Sequence, residues 1–261
     1  MTLLRIDDLT LTHAPTGQKL IDSLSLEILQ GEVLGVIGES GSGKSLLCKS
    51  ILGLNPPSLC PTGRIDFQGI DLLSLPKERL RPWRGQKIAL ILQEAMSAFD
   101  PLSKIGSQMV ETLRLKFPKE RALEIAHQNL HQAGLQESER ILKSYPHELS
   151  GGELQRVMIA LAITQEVELI IADEPTSALD LLWQKRILEQ FQAIQESRSL
   201  SLLFVSHDLA AIAHLADRIL VMHQGREVEC APTQEIFSRP THPQTQKLIQ
   251  DRQLLLQGLH P

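Results

Sequence analysis

The sequence is short of four things, and each shortage removes a class of protein. Cysteine is scarce: Cys48, Cys60 and Cys230 form no CxxC pair and are too few for a disulfide framework, so a reducing compartment is expected. Aromatic residues make up only 3%, too few to supply an array of base-stacking platforms. There is no cationic excess. Lys and Arg number 26 against 31 Asp and Glu, a net charge of −5, whereas nucleic-acid affinity rests on a clustered cationic surface. Long apolar runs are missing too: the longest, Val157 to Ile163, has seven residues. A membrane-spanning helix needs about 20. Asp7 and Asp8 stand where a secretory leader would need an apolar stretch, so neither a secreted nor an integral membrane protein is expected.

What is present is ordinary for a globular protein with a core: 261 residues, 42% hydrophobic and 22% charged. At roughly 100–200 residues per domain this allows one large domain or two modest ones. No internal repeat or low-complexity segment stands out. The first part has strand patterns at residues 3–11, 24–28 and 33–37, with a turn at Gln30-Gly31. A Gly/Ser-rich loop follows, then a helical pattern over residues 44–54 stopped by Pro56-Pro57. Residues 64–67 and 88–92 are short strand candidates. From residue 105 to about 142 the spacing is helical with polar faces and no convincing strand, as expected of an inserted helical subdomain. Strand-like apolar runs return at 169–172 and 202–205, each followed by a helical pattern. Short, almost wholly apolar strands alternating with helices predict a parallel sheet covered on both faces, hence an α/β architecture. The tail from Pro232 looks helical and ends in Leu254-Leu255-Leu256, a candidate docking stripe.

Gly38-Glu39-Ser40-Gly41-Ser42-Gly43-Lys44-Ser45 matches G-x-x-x-x-G-K-[S/T]. Its glycines let the loop turn tightly and bring backbone N–H groups up to phosphate oxygens. The following helix points its positive end at the same anion. Lys44 is placed to reach the outer phosphates and the Ser45 hydroxyl to ligate Mg²⁺. An accidental glycine-rich turn is the bland alternative, but this loop follows an apolar strand and opens a helix, the context the motif requires. Kinases, GTPases and transport ATPases all share such a loop. The absence of Asn-Lys-x-Asp argues against guanine selection.

Leu169 to Asp173 is an apolar strand ending in two acids, Asp173 and Glu174. Strand C-termini of doubly wound sheets are where ligands bind, so both carboxylates should face the nucleotide. Asp173 suits holding Mg²⁺ and Glu174 suits polarising the attacking water as general base. A polar strand end beside Pro175 is the plain alternative. Ser150-Gly151-Gly152-Glu153 opens a second helix whose apolar positions Leu154, Val157, Met158 and Leu161 recur at helical spacing. This is a second anion site, and because Lys44 already serves one set of phosphates its natural use is on a nucleotide bound by another subunit. Ser177 to Asp180 follows the acid pair, and His207 ends the strand at 202–205.

Together these segments resemble an ATP-binding cassette (ABC) ATPase. The matching residues are the Walker A loop Gly38–Ser45, the Gln-loop residue Gln93, the signature Leu149–Gln155, the Walker B strand Leu169–Asp173, the Asp loop Ser177–Asp180 and the switch histidine His207, in family order over nearly the whole chain. The resemblance implies a P-loop NTPase core with a mainly parallel sheet, an antiparallel N-terminal β subdomain and an inserted helical subdomain. It places the core at residues 1–92 and 165–231, the helical subdomain at 93–164 and a helical tail at 232–261. It also implies ATP and Mg²⁺ as cofactors, and head-to-tail dimers with each ATP between one subunit's Walker A loop and the other's signature. His207 is then assigned to the γ-phosphate, and Gln93 to sensing Mg²⁺ while contacting membrane subunits. Asp180 of the Asp loop joins the nucleotide-contacting set. The aromatic residue that stacks on adenine in relatives is missing, and His13 is the nearest candidate. The signature carries Glu153 where Gln is commonest.

A narrower likeness is to the peptide/nickel importer group, through Met96-Ser-Ala-Phe-Asp100-Pro-Leu102, Tyr145-Pro-His-Glu-Leu-Ser150 and Arg239-Pro-Thr-His-Pro243-Gln-Thr245, and within it to the first ATPase of the nickel importer. Such a subunit implies a partner ATPase (identical or paralogous), two permease subunits and an extracytoplasmic binding protein, with the chain peripheral on the cytoplasmic face of the inner membrane. Nickel, a metal chelate or a short peptide is the expected cargo. Permease docking is expected around Met96–Leu102, where Met96, Phe99 and Leu102 are equally compatible with core packing. Gln244 stands where relatives often have Tyr, and the cysteine-rich cluster of longer relatives is absent, so no iron–sulfur site is expected. Nine scattered histidines suggest no metal-ligand spacing. A soluble cassette ATPase of DNA repair or translation is the alternative, but no heptad run or second Walker A loop accompanies it here. A nucleotide-gated module without turnover is disfavoured by the presence of both Glu174 and His207.

Overall fold

The computed structural model describes the backbone of residues 1–257 and the side chains of residues 1–251. It divides into two compact units, residues 1–81 with 188–261 and residues 82–187, and the division falls inside one long helix. Strands β1 (Thr2–His13), β2 (Gln18–Leu29), β3 (Val33–Gly38), β4 (Leu59–Phe67) and β5 (Ile70–Asp71) open the first unit, with helices α1 (Lys44–Ile51) and α2 (Lys77–Leu80). The second unit carries β6 (Ile88–Ile91), α3 (Ile105–Leu113), α4 (Lys119–Gln132), α5 (Ser138–Lys143), α6 (Gly151–Thr164), β7 (Leu169–Asp173) and the start of α7 (Leu181–Arg198). The chain then returns to the first unit as β8 (Ser201–Val205), α8 (Leu209–Leu215), β9 (Arg218–His223), β10 (Arg226–Pro232), α9 (Thr233–Ser238) and α10 (Pro243–Gln257).

In the first unit β2, β1, β4 and β5 form an antiparallel sheet in that order. Alternation along β1 and β2 buries Leu4, Ile6, Leu9, Leu11, Ile21, Leu24 and Ile28, while the intervening residues face outward, the pattern of a sheet with one wet face. A second sheet runs β10-β9-β3-β8, with β3 parallel to both β8 and β9 and β10 antiparallel at the edge. Every residue of β8 is buried and five of six in β3, which explains why these strands read as unbroken apolar runs. Phe204 of β8 meets Phe191 of α7 edge-on at 6.2 Å. In the second unit β6 and β7 pair in parallel, and all five β7 residues are buried. Helices α3 to α6 pack around Met109, Ala126, Leu130, Ile141, Val157 and Ile159.

The strand and helix types expected of the sequence are present, including the strand-free stretch at 105–142. Two differences have physical causes. The helix expected over 44–54 stops at Ile51, where the Gly53 N–H turns back to Ser50 O. The hairpin β9–β10 was not expected: Gln224 (φ 47°) and Gly225 (φ 77°) make the two-residue left-handed turn such hairpins need, without the Asn-Gly pair that usually announces it. No helix among the described residues is long and apolar enough to cross a membrane. Leu254–Leu256 lie outside the residues whose side chains are described.

Candidate functional site

The first unit supplies the phosphate loop and His207. β3 and β8 are parallel neighbours, Val36 opposite Val205, so the loop after β3 and the segment after β8, which carries His207 two residues on, leave the same sheet edge. This is the carboxyl edge where α/β sheets bind ligands. Gly43, at φ 101°, is the N-cap of α1, a left-handed position that suits glycine. At Gly38 a Cβ would stand 2.3 Å from Met222 O, so the loop lies too close to the end of β9 for any side chain. Lys44 Nζ donates to Gly38 O and Glu39 O, 2.9 Å each, which folds the ammonium back over the loop, where an incoming anion would meet it. Ser42 is buried, and Ser45 is the second residue of α1. Glu39 is exposed, with Lys247 Nζ at 3.6 Å and His223 Nδ1 at 3.7 Å. His207 is exposed beside buried Ser206, and Asp208 caps α8 by accepting the N–H groups of Ala210 and Ala211. His13, at the end of β1, hydrogen-bonds Thr16 Oγ1 through Nδ1 at 2.9 Å.

The second unit gathers the remaining candidates. Asp173, 2% exposed, ends β7, and Glu174 follows at φ 51°, a strained conformation for a residue with a side chain. Gln93, exposed, lies two residues past β6, the parallel partner of β7. Buried Gln155, the last residue of the signature, ties these ends to the signature helix: its Nε2 donates to Pro175 O at 3.0 Å and Leu92 O at 3.3 Å. The signature motif contained this residue without assigning it that tie.

Ser150 is the N-cap of α6. Its hydroxyl accepts the Glu153 N–H, and Glu153 Oε2 takes the Ser150 N–H and hydroxyl at 2.9 Å, a complete capping box. Burial opposes ionisation of Glu153, but these donors and the Arg140 guanidinium hold its carboxyl below the usual range. Gly151 is exposed. A Cβ at Gly152 would meet Ala178 O at 3.3 Å, so the Asp loop runs close against the signature. Asp180 is exposed and accepts the Trp183 N–H at 3.0 Å at the start of α7.

In the Met96–Leu102 segment, Phe99 is core at 8% exposure, whereas Met96 and Leu102 are 44% and 86% exposed. Asp100 fixes this turn by accepting the Leu102 N–H and Ser103 hydroxyl, which keep its carboxyl below the usual range. His127 and His131 do stand four apart on α4, and both approach the Ser138 hydroxyl, at 2.8 and 3.3 Å. Among the described residues no three His, Cys, Asp or Glu side chains converge on a metal-sized site.

The ABC transporter family profile matches residues 21–177. The chain is 43% identical over 251 residues to the metal-staphylopine import system ATP-binding protein CntD of Staphylococcus aureus, covering 95% of this chain and 93% of that one. It is 40% identical over 258 residues to the dipeptide transport ATP-binding protein DppD of Haemophilus influenzae, covering 95% and 77%. Among solved structures, the dimeric post-hydrolysis state of the ATP-binding cassette MJ0796 bound to ADP and Pi superposes with a TM-score of 0.80 at 26% identity, over 88% of this chain and 99% of that one.

Proposed function

The chain belongs to the ABC transporter family and is an ATPase, and on that premise we propose that it is the ATP-hydrolysing subunit of a binding-protein-dependent importer for a metal chelate or short peptide. The observation that carries the ATPase part is the pairing of β3 with β8, which brings the phosphate loop and His207 to one sheet edge. The cargo class follows the relatives: the 43%-identical protein is named for metal-staphylopine import and the 40%-identical one for dipeptide transport. Nickel is the narrower version of the metal reading.

In this reading Lys44 and the N–H groups of Gly38–Ser45 take the β- and γ-phosphates, and His207 contacts the γ-phosphate. Ser45, Gln93 and Asp173 offer hydroxyl, amide and carboxylate oxygens, the hard donors Mg²⁺ prefers. When bound, Mg²⁺ would neutralise charge on the transferring phosphoryl group. Glu174 takes the proton of the attacking water. Ser150, Gly151, Gly152, Glu153 and Asp180 face the nucleotide held by a second ATPase subunit, and His13 lies toward the base. ATP then acts as a ligand of the closed dimer, and hydrolysis removes the bridge, so the work comes from unequal affinity of closed and open states for ATP. Two permease subunits, fed by an extracytoplasmic binding protein, receive the motion through exposed Met96 and Leu102, which puts the chain on the cytoplasmic membrane face.

The test is Glu174→Gln in the purified chain. ATP binding should persist while turnover falls by about 10²–10⁴, the scale of one general base. Turnover equal to the parent would remove Glu174 from the role.

A further inference from the structure

One aromatic ring in the second unit gathers contacts from three helices and no motif role accounts for it. Trp183, in the first turn of α7, has the Arg156 guanidinium 4.5 Å and the Arg186 guanidinium 4.7 Å from its ring centroid. Its edge lies flat on the backbone after α4: a Cβ at Gly134 (φ 73°) would fall 1.5 Å from Cη2. Arg156 is itself anchored, its Nη1 donating to Ala133 O and Gly134 O at 3.4 Å and its Nε to Gly152 O at 3.3 Å. Arg156 thus reaches from the signature end of α6 to the ring. The backbone N–H of Trp183 donates to Asp180 Oδ1 at 3.0 Å, which ties the residue carrying the ring to the Asp loop.

We propose that Trp183 is a positioning residue that locks the Asp loop to the signature end of α6, so that Asp180 and Ser150 reach a nucleotide as one rigid piece. The physical need is plain. Ser150 and Asp180 are both exposed and sit at the starts of two different helices, so their spacing is set only by what ties those helices together. A guanidinium held over an indole face resists sliding because it is attracted to the ring's negative face as well as packed against it. The fit at Gly134 fixes the ring along its remaining direction.

The inference rests on the proposed composite site, and the experiment separates the two. Steady-state ATP hydrolysis is compared for Trp183→Leu, Trp183→Phe and Arg186→Gln, with Glu174→Gln beside them. Trp183→Leu keeps apolar bulk but no π face, and its kcat should fall about three- to thirtyfold, the span of a partly desolvated cation–π contact, with KM for ATP unchanged. Trp183→Phe restores a π face and should recover most of that loss. Arg186→Gln, at an exposed position that folding tolerates, should lose kcat in the same direction but less. Parent kcat in Trp183→Leu overturns the proposal, as does Trp183→Phe being as slow as Trp183→Leu, or KM rising in step with the loss. Should Trp183→Leu fail to fold, parent kcat in Arg186→Gln overturns it. Loss of turnover in Glu174→Gln with none in the Trp183 series defeats this inference and leaves the ATPase reading standing; turnover retained in Glu174→Gln defeats that reading instead.

Discussion

At the first turn of α6 one carboxylate does two jobs. Glu153 Oε2 closes the capping box on Ser150, and Oε1 pairs with Arg140, whose other partner is Glu137. Glu153→Gln keeps an oxygen to accept the Ser150 N–H and loses only a partly exposed ion pair, so thermal unfolding should show a change below about 1 kcal/mol. Glu153→Ala also opens the box and should cost about 1 kcal/mol more. Glu229 behaves differently. Burial would raise its carboxyl, but the hydroxyl of Thr245, the N–H groups of Thr241 and His242 and the Thr241 hydroxyl bring it down from 4.5 to about 2. A depressed folded-state value means stability that is present above pH 4.5 and is lost as pH falls through about 2. Glu229→Gln should therefore be less stable than the parent at neutral pH, and the two unfolding midpoints should converge as pH is lowered across that window.

The elements place these residues through caps and strand ends more than through loops of their own. α8 has seven residues, too few to be stable alone, and its start is fixed by Asp208 accepting two N–H groups. Asp208→Ala should lower stability by ~1 kcal/mol in denaturant unfolding, and because His207 is the next residue back, turnover should fall with it. The phosphate loop, the acid pair and the signature were legible because each joins a strand or helix pattern to a short polar motif. Their carrier strands β3, β7 and β8 are buried along almost their full length and so read as plain apolar runs. The β9–β10 hairpin was not legible, because its turn uses Gln224 in a left-handed conformation that composition does not announce. Phe99 could not be separated from Met96 and Leu102 by type: only the fold of the turn around Asp100 sends one inward and two outward.

Across the whole molecule the candidate residues fall on two units, the phosphate loop and His207 on one, Gln93, the signature, the acid pair and Asp180 on the other. What joins residues within the second unit was invisible to motif reading, since Gln155, Arg156 and Trp183 act through backbone carbonyls and a ring face, partners far apart in sequence. The claim on which the account turns is that a nucleotide is completed by two protomers. A crystal structure of Glu174→Gln loaded with ATP tests it directly. The account expects Ser150 and Gly151 of one protomer against the γ-phosphate of an ATP whose other side is held by Lys44 of its partner. An ATP enclosed by one protomer alone, with Ser150 remote from every phosphate, would contradict it.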